Sequence, residues 1–119
     1  AGAVEEGSAV IRESKKPVPL LPKSMAVLRE AGYLVEKVER WNAFSRTKND
    51  LFGVGDVLAL GHDEVVIVQV TSASNHAARR TRIADHENTG RIRKAGVRIL
   101  LHSWAKRDGR WALREEDLS

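Results

Sequence analysis

The stretch Glu64-Val65-Val66-Ile67-Val68-Gln69-Val70-Thr71-Ser72 decides how this chain folds. Its centre, Val65 to Val68, is an unbroken β-branched run with no polar alternation. Such a run predicts a strand buried on both faces, in the middle of a sheet that is covered on each side. The run ends in polar residues. Side chains two apart on a strand share a face, so Gln69 and Thr71 point together while Val68 and Val70 point into the other layer. A buried amide without partners costs about 1–3 kcal/mol. Gln69 therefore needs partners, either in neighbouring loops or in a functional site.

Upstream, Gly61-His62-Asp63 turns the chain out of a strand predicted over Val54 to Leu60. The two strands read as hairpin neighbours, which sets Asp56 near Gln69. Residues 42–53 read as a polar loop. Before it, Tyr33 to Trp41 alternates like a strand with one solvated face. A helix is predicted from Pro22 to Ala31, with proline in its first turn and Gly32 at its C-terminal cap. Downstream, Ser74 or Asn75 caps a second helix reaching about Lys94, with Gly90 as a place for a break. Val97 to Trp104 reads as a strand. Asp108-Gly109 signals a hairpin into a short last strand, Arg110 to Arg114. Glu115 to Ser119 reads as an acidic tail.

The predicted fold is thus α/β, a mixed β-sheet flanked by helices in the order α-β-β-β-α-β-β. With 119 residues the chain fits one domain. Pro17, Pro19 and Pro22 deny regular structure to the start, so residues 1–21 read as an extended arm and 22–119 as the domain. The alternative for the arm is a simple tail.

The chain has no cysteine, which removes disulfides and thiol chemistry. No apolar run approaches the ~20 residues of a membrane span. Ala1 to Glu6 shows neither the basic nor the apolar part of a signal peptide. These features predict a cytoplasmic protein without a membrane partner. Lys and Arg number 20 against 16 Asp and Glu, a net +4 and a pI near 9.8. A pI above ~9 is one footprint of nucleic-acid binding.

Gly55-Asp56, then Gln69-Val70-Thr71 on a hydrophobic strand, then a basic helix, resembles the PD-(D/E)XK nuclease superfamily. The resemblance is to its small Holliday-junction-resolvase-like and VRR-NUC-like members, and spans about residues 23–105. Gly32-Tyr33-Leu34-Val35 ahead of Gly53-Val54-Gly55-Asp56 adds to it. The resemblance implies a restriction-endonuclease-like fold and Mg²⁺- or Mn²⁺-dependent hydrolysis of DNA phosphodiesters, with branched or junction DNA as one substrate class. It also implies a homodimer that acts on two strands. Asp56 matches the family's metal-binding Asp. Gln69 stands where a Glu is expected, and Thr71 where a Lys is expected. Val70 offers its backbone carbonyl to the metal. Asp50 is a second acidic candidate from the loop. Lys48, or Arg79, is the candidate to replace the missing lysine. Gln69 brings an oxygen but no charge, and a unit charge at ~4 Å is worth about 4 kcal/mol at an effective dielectric of 20.

The segment from Asn75 to Arg98 holds seven basic and two acidic residues, a net +5. Arg79, Arg80, Arg82, Arg91, Arg93 and Lys94 predict a phosphate-contacting surface. Ser74, Asn75 and His76 at the helix start add donors for a phosphate. The alternative is a solvated helix face. Trp41, Trp104 and Trp111 read as core or strand-face residues in preference to base-stacking platforms. Three functions are open at this point. They are a metal-dependent endonuclease, a non-catalytic nucleic-acid-binding module that keeps the fold, and an assembly subunit whose proline arm clasps a partner.

Overall fold

The computed structural model describes residues 18–119. Most of the arm expected over 1–21 lies outside the described residues. The first helix, α1 (Leu21–Glu30), carries proline in its first turn. It ends where Gly32, at φ +100°, lets the backbone fold back, so that the Gly32 and Tyr33 amides donate to the Arg29 and Leu28 carbonyls.

Two sheets follow. One has five strands in the order β1 (Leu34–Lys37), β4 (Val57–Leu60), β5 (Val65–Ser72), β6 (Arg98–Arg107) and β7 (Arg110–Asp117). The other is a two-stranded hairpin of β2 (Arg40–Asn42) and β3 (Thr47–Asn49). In the large sheet β5 and β6 are parallel and the other pairs antiparallel. A parallel pair needs a crossover. Here it is a 3₁₀ turn (Ala73–Asn75), α2 (His76–Asp85) and α3 (Thr89–Lys94). The protein is therefore an α/β fold with a mixed sheet and flanking helices.

The β-branched run of β5 is central, as its composition requires, and its side chains serve two cores. Val66 and Val68 join Leu28 of α1 with Val35, Val57, Ala59 and Leu100 on one face. Ile67 joins Ile83 of α2, Ile92 of α3, Val54, Ile99 and Leu101 on the other. Among the described residues no helix is long and apolar enough to cross a membrane.

Five expectations change in detail. The strand expected over Tyr33 to Trp41 ends at Lys37, and its remainder turns away as β2. The polar loop over 42–53 contains β3. The strand expected from Val54 begins at Val57. The second helix breaks at His86–Asn88, where Thr89 Oγ1 donates to the Ile83 carbonyl at 2.5 Å, and Gly90 sits inside α3. Lastly, β6 runs on to Arg107 and β7 to Asp117, so Glu115 and Glu116 belong to a strand.

Those two glutamates, neighbours on β7, hold two buried histidines, His102 on β6 and His76 at the start of α2. Glu115 Oε2 lies 2.8 Å from His102 Nε2, while His102 Nδ1 meets Ser24 Oγ of α1 at 2.9 Å. Ser24 Oγ also accepts from Trp104 Nε1 at 2.8 Å. Glu116 Oε1 lies 2.6 Å from His76 Nε2, and His76 Nδ1 meets Ser103 Oγ at 2.6 Å. Burial holds the His102 ring below its ordinary 6.5, against the pull of Glu115. The unfolded chain then takes up a proton at higher pH than the native chain. Stability carried by the neutral ring is complete above the ordinary value and is lost as pH falls from there towards the lowered native value. We expect the urea midpoint to drop between about pH 7 and about pH 5 by more in the wild type than in His102→Gln. Equal slopes for the two proteins would show that His102 does not carry this linkage.

Candidate functional site

Asp56 stands just ahead of β4, one step before the pair Val57↔Val68, and so faces Gln69 across the hairpin. Its amide donates to the Val68 carbonyl at 3.0 Å. Its carboxylate accepts from Gln69 Nε2 at 3.1 Å (Oδ2) and from the Val70 amide at 3.2 Å (Oδ1). Gln69 thus spends its amide on Asp56. Gly55 makes this approach feasible, because a Cβ there would lie 2.1 Å from Ile67 Cγ2.

The β2–β3 hairpin delivers two further carboxylates. Its register pairs Arg40↔Asn49, Trp41↔Lys48 and Asn42↔Thr47. One step further towards its base stand Glu39, just before β2, and Asp50, just after β3. The turn Leu51–Gly55, closed by Leu51 and Gly55 hydrogen bonds, then returns the chain to Asp56. Carboxylate oxygens of Glu39, Asp50 and Asp56 come within 4.8 Å of one another. Lys37 and Lys48 each place Nζ 3.9 Å from Glu39 Oε1.

These groups line one open pocket at an end of the sheet, floored by Gln69 and Val70 and walled by the start of α1. Arg79 and Arg82 of α2 close its far side. The start of α1 brings Leu21, Pro22 and Met25 and no acid. Asp56 is buried, and the loss of solvent, with Asp50 and Glu39 adding to it, pushes its carboxyl up to about 7. Hydrogen bonding to its carboxylate pulls the other way and loses. Three converging carboxylates, one of them half-protonated near neutrality, form an acidic cluster ringed by Lys37, Lys48, Arg79 and Arg82. All its donors are hard oxygens, the set that suits Mg²⁺ or Mn²⁺.

The sequence-predicted residues divide. Asp56, Gln69, Val70, Asp50, Lys48, Arg79 and Arg82 share the pocket. Thr71 is buried in register with Ser103 and does not line it. His76 is not free to meet a phosphate: it is buried, with both ring nitrogens engaged by Ser103 and Glu116. Arg80 Nε donates to both oxygens of Glu116 at 3.0 Å, and Arg93 reaches the Leu118 carbonyl. Arg91 and Lys94 are exposed on α3, away from the pocket lining. Ser74 and Asn75 are exposed in the 3₁₀ turn and hydrogen-bond Ser72 Oγ.

Glu39 and Lys37 were not singled out in the sequence. The readable signal was Asn42, whose Oδ1 accepts from the Phe44 and Ser45 amides at 3.0 and 3.2 Å and builds the hairpin turn. A hairpin centred there brings Glu39 beside Asp50. No known family model matches the chain, and no curated protein sequence is significantly similar to it.

Proposed function

We propose that the chain is a metal-dependent nuclease acting on DNA, a variant of the PD-(D/E)XK pattern whose acidic set has moved. The observation that carries this reading is the meeting of Glu39, Asp50 and Asp56 in a pocket that also holds Lys37, Lys48, Arg79 and Arg82. Gln69 supplies no charge, and Glu39 makes up the deficit from the hairpin. Bound among these carboxylates, Mg²⁺ or Mn²⁺ supplies Lewis acidity to a phosphate and lowers the pKa of water. Arg79 and Arg82 hold the flanking phosphates, for which the guanidinium fork is suited. Lys48, and Lys37 beside it, take the place that Thr71 leaves without a cation. Asp56 gives up its proton as the site fills, so cutting rises with pH through about 7.

The test is cleavage of labelled single-stranded, duplex, flap and four-way-junction DNA with Mg²⁺ or Mn²⁺. Cutting is expected in the wild type and absent in Asp56→Ala. Glu39→Gln removes a unit charge worth about 4 kcal/mol, so metal affinity falls by up to about 10³-fold. Salt-sensitive DNA binding without cutting in any metal would overturn the enzyme reading. It would leave a non-catalytic binding module, which the occupied Gln69 amide and the buried Thr71 favour.

A further inference from the structure

The β2–β3 hairpin buries none of its residues yet carries both charge and large aromatics. The run 40–49 holds three basic residues and no acidic one. Yet it displays two large aromatics, Trp41 at 62% exposure and Phe44 at 101%. Neither belongs to the two cores. The other tryptophans are placed as the sequence suggested. Trp104 is buried on Ser24, and Trp111 lies half-buried under Lys23 and Lys106.

Register fixes where Trp41 points. Side chains two apart on a strand share a face, as do directly paired residues. Trp41 therefore shares its face with its partner Lys48, whose Nζ lies 3.9 Å from Glu39 Oε1 of the acidic cluster. That face runs from the acidic cluster outwards along the hairpin. Trp41 stands two residues, about 7 Å, beyond Glu39. Phe44 sits further out, in the turn.

We infer that Trp41 and Phe44 stack on unpaired bases of the strand whose phosphate enters the acidic pocket. Exposed aromatic faces set among positive charges are the composition that binds single-stranded nucleic acid, because every base has a π-face and the backbone is anionic. Arg40, Arg46 and Lys48 meet that backbone. Bases inside an intact duplex do not offer their faces, so the inference names a substrate class: DNA unpaired next to the scissile phosphate. It rests on the nuclease reading for the role of the pocket, but the stacking itself does not need catalysis.

The experiment therefore measures binding in EDTA, where nothing is cut. A fluorescent single-stranded oligodeoxythymidine and a duplex of equal length are titrated with wild type, Trp41→Ala, Phe44→Ala and Trp41→Phe. We expect each alanine variant to lose about tenfold in affinity for the single strand. Duplex affinity is unchanged, and Trp41→Phe, which keeps an aromatic face, retains binding. Tryptophan fluorescence is expected to quench on adding the single strand, and to quench less in Trp41→Phe. Unchanged single-strand affinity in the alanine variants would overturn the inference, even with a wild type that cuts. Equal losses for single strand and duplex would overturn it too. If the wild type binds and quenches as described but cuts nothing with any metal, the nuclease reading fails and the stacking surface stands.

Discussion

Asp56→Asn is expected to be more stable than the wild type in metal-free buffer above about pH 7. The buried carboxyl has its native pKa raised from 3.8 to about 7. The native state therefore holds a proton that the unfolded chain has released. The corresponding stability is fully present below the unfolded value and is lost as pH rises through the native one. A tenfold proton preference is worth 1.36 kcal/mol, so ionised Asp56 costs about 4 kcal/mol once pH passes about 7. Asparagine is neutral at every pH. Its Oδ1 accepts the Val70 amide as Asp56 does, and Gln69 turns its amide to accept from the new Nδ2. Both groups stay satisfied, which matters because an orphaned buried polar group costs about 1–3 kcal/mol. For a domain of this size the gain raises the thermal midpoint by more than about 10 °C. The variant's advantage shrinks as pH is lowered towards about 4, and on the nuclease reading it is expected to lose metal-dependent cutting. With a metal bound as proposed, Mg²⁺ is expected to raise the midpoint of the wild type and leave that of Asp56→Asn unmoved. A variant less stable than wild type at every pH would mean that the carboxylate is held favourably without a metal, against the burial and the repulsion from Asp50 and Glu39 described.

Gly55→Ala is expected to destabilise by about 3 kcal/mol, the upper part of the range for an overpacked core. The added methyl would lie 2.1 Å from Ile67 Cγ2, with the Val68 carbonyl oxygen at 3.1 Å. Ile67 is itself fixed among Val54, Ile83, Ile99 and Leu101, so it has nowhere to retreat. The strain has to be relieved by moving the backbone ahead of β4, and Asp56 is the next residue. Chemical denaturation reads the first effect. On the nuclease reading, cleavage is expected to fall by more than the loss of folded protein and reads the second. Ile67→Ala opens the needed space, so the double variant is expected to be more stable than the sum of the two single changes implies. Strict additivity would locate the strain elsewhere.

How far the sequence foretold this molecule depends on the range of the interactions involved. β5 was legible because a central strand in a covered sheet must be apolar on both faces, a local property. α1 was legible through Pro22 and Gly32, which act on their own backbone. The hairpin at 40–49 was missed because none of its residues is buried, so it leaves no alternation to read. What sets it is the Asn42 side chain in its turn. Glu115 and Glu116 looked like a tail because their partners, His102 and His76, lie 13 and 40 residues away. Of the pocket lining, Asp56, Asp50, Gln69, Val70 and Lys48 were singled out through the resemblance carried by Gly55-Asp56 and Gln69-Val70-Thr71. Glu39 was not, since it comes beside Asp56 through the pairing of β1 with β4, where the Val38 amide donates to the Asp56 carbonyl, and beside Asp50 through that of β2 with β3. Arg80 and Arg93 looked like free cations because charge counting cannot see Glu116 or the Leu118 carbonyl waiting for them.

The three acids do not share one support. Asp56 is anchored in the five-stranded sheet between two cores, whereas Glu39 and Asp50 stand at the foot of a two-stranded ribbon. An isolated ribbon of that size is only marginally stable, and local opening begins where buried contacts are few. The acid cluster thus joins a part of the chain that opens with the whole molecule to a part that opens on its own. Amide protons of the ribbon should exchange far sooner than those of β5, and an ion shared by all three carboxylates would draw the two rates together.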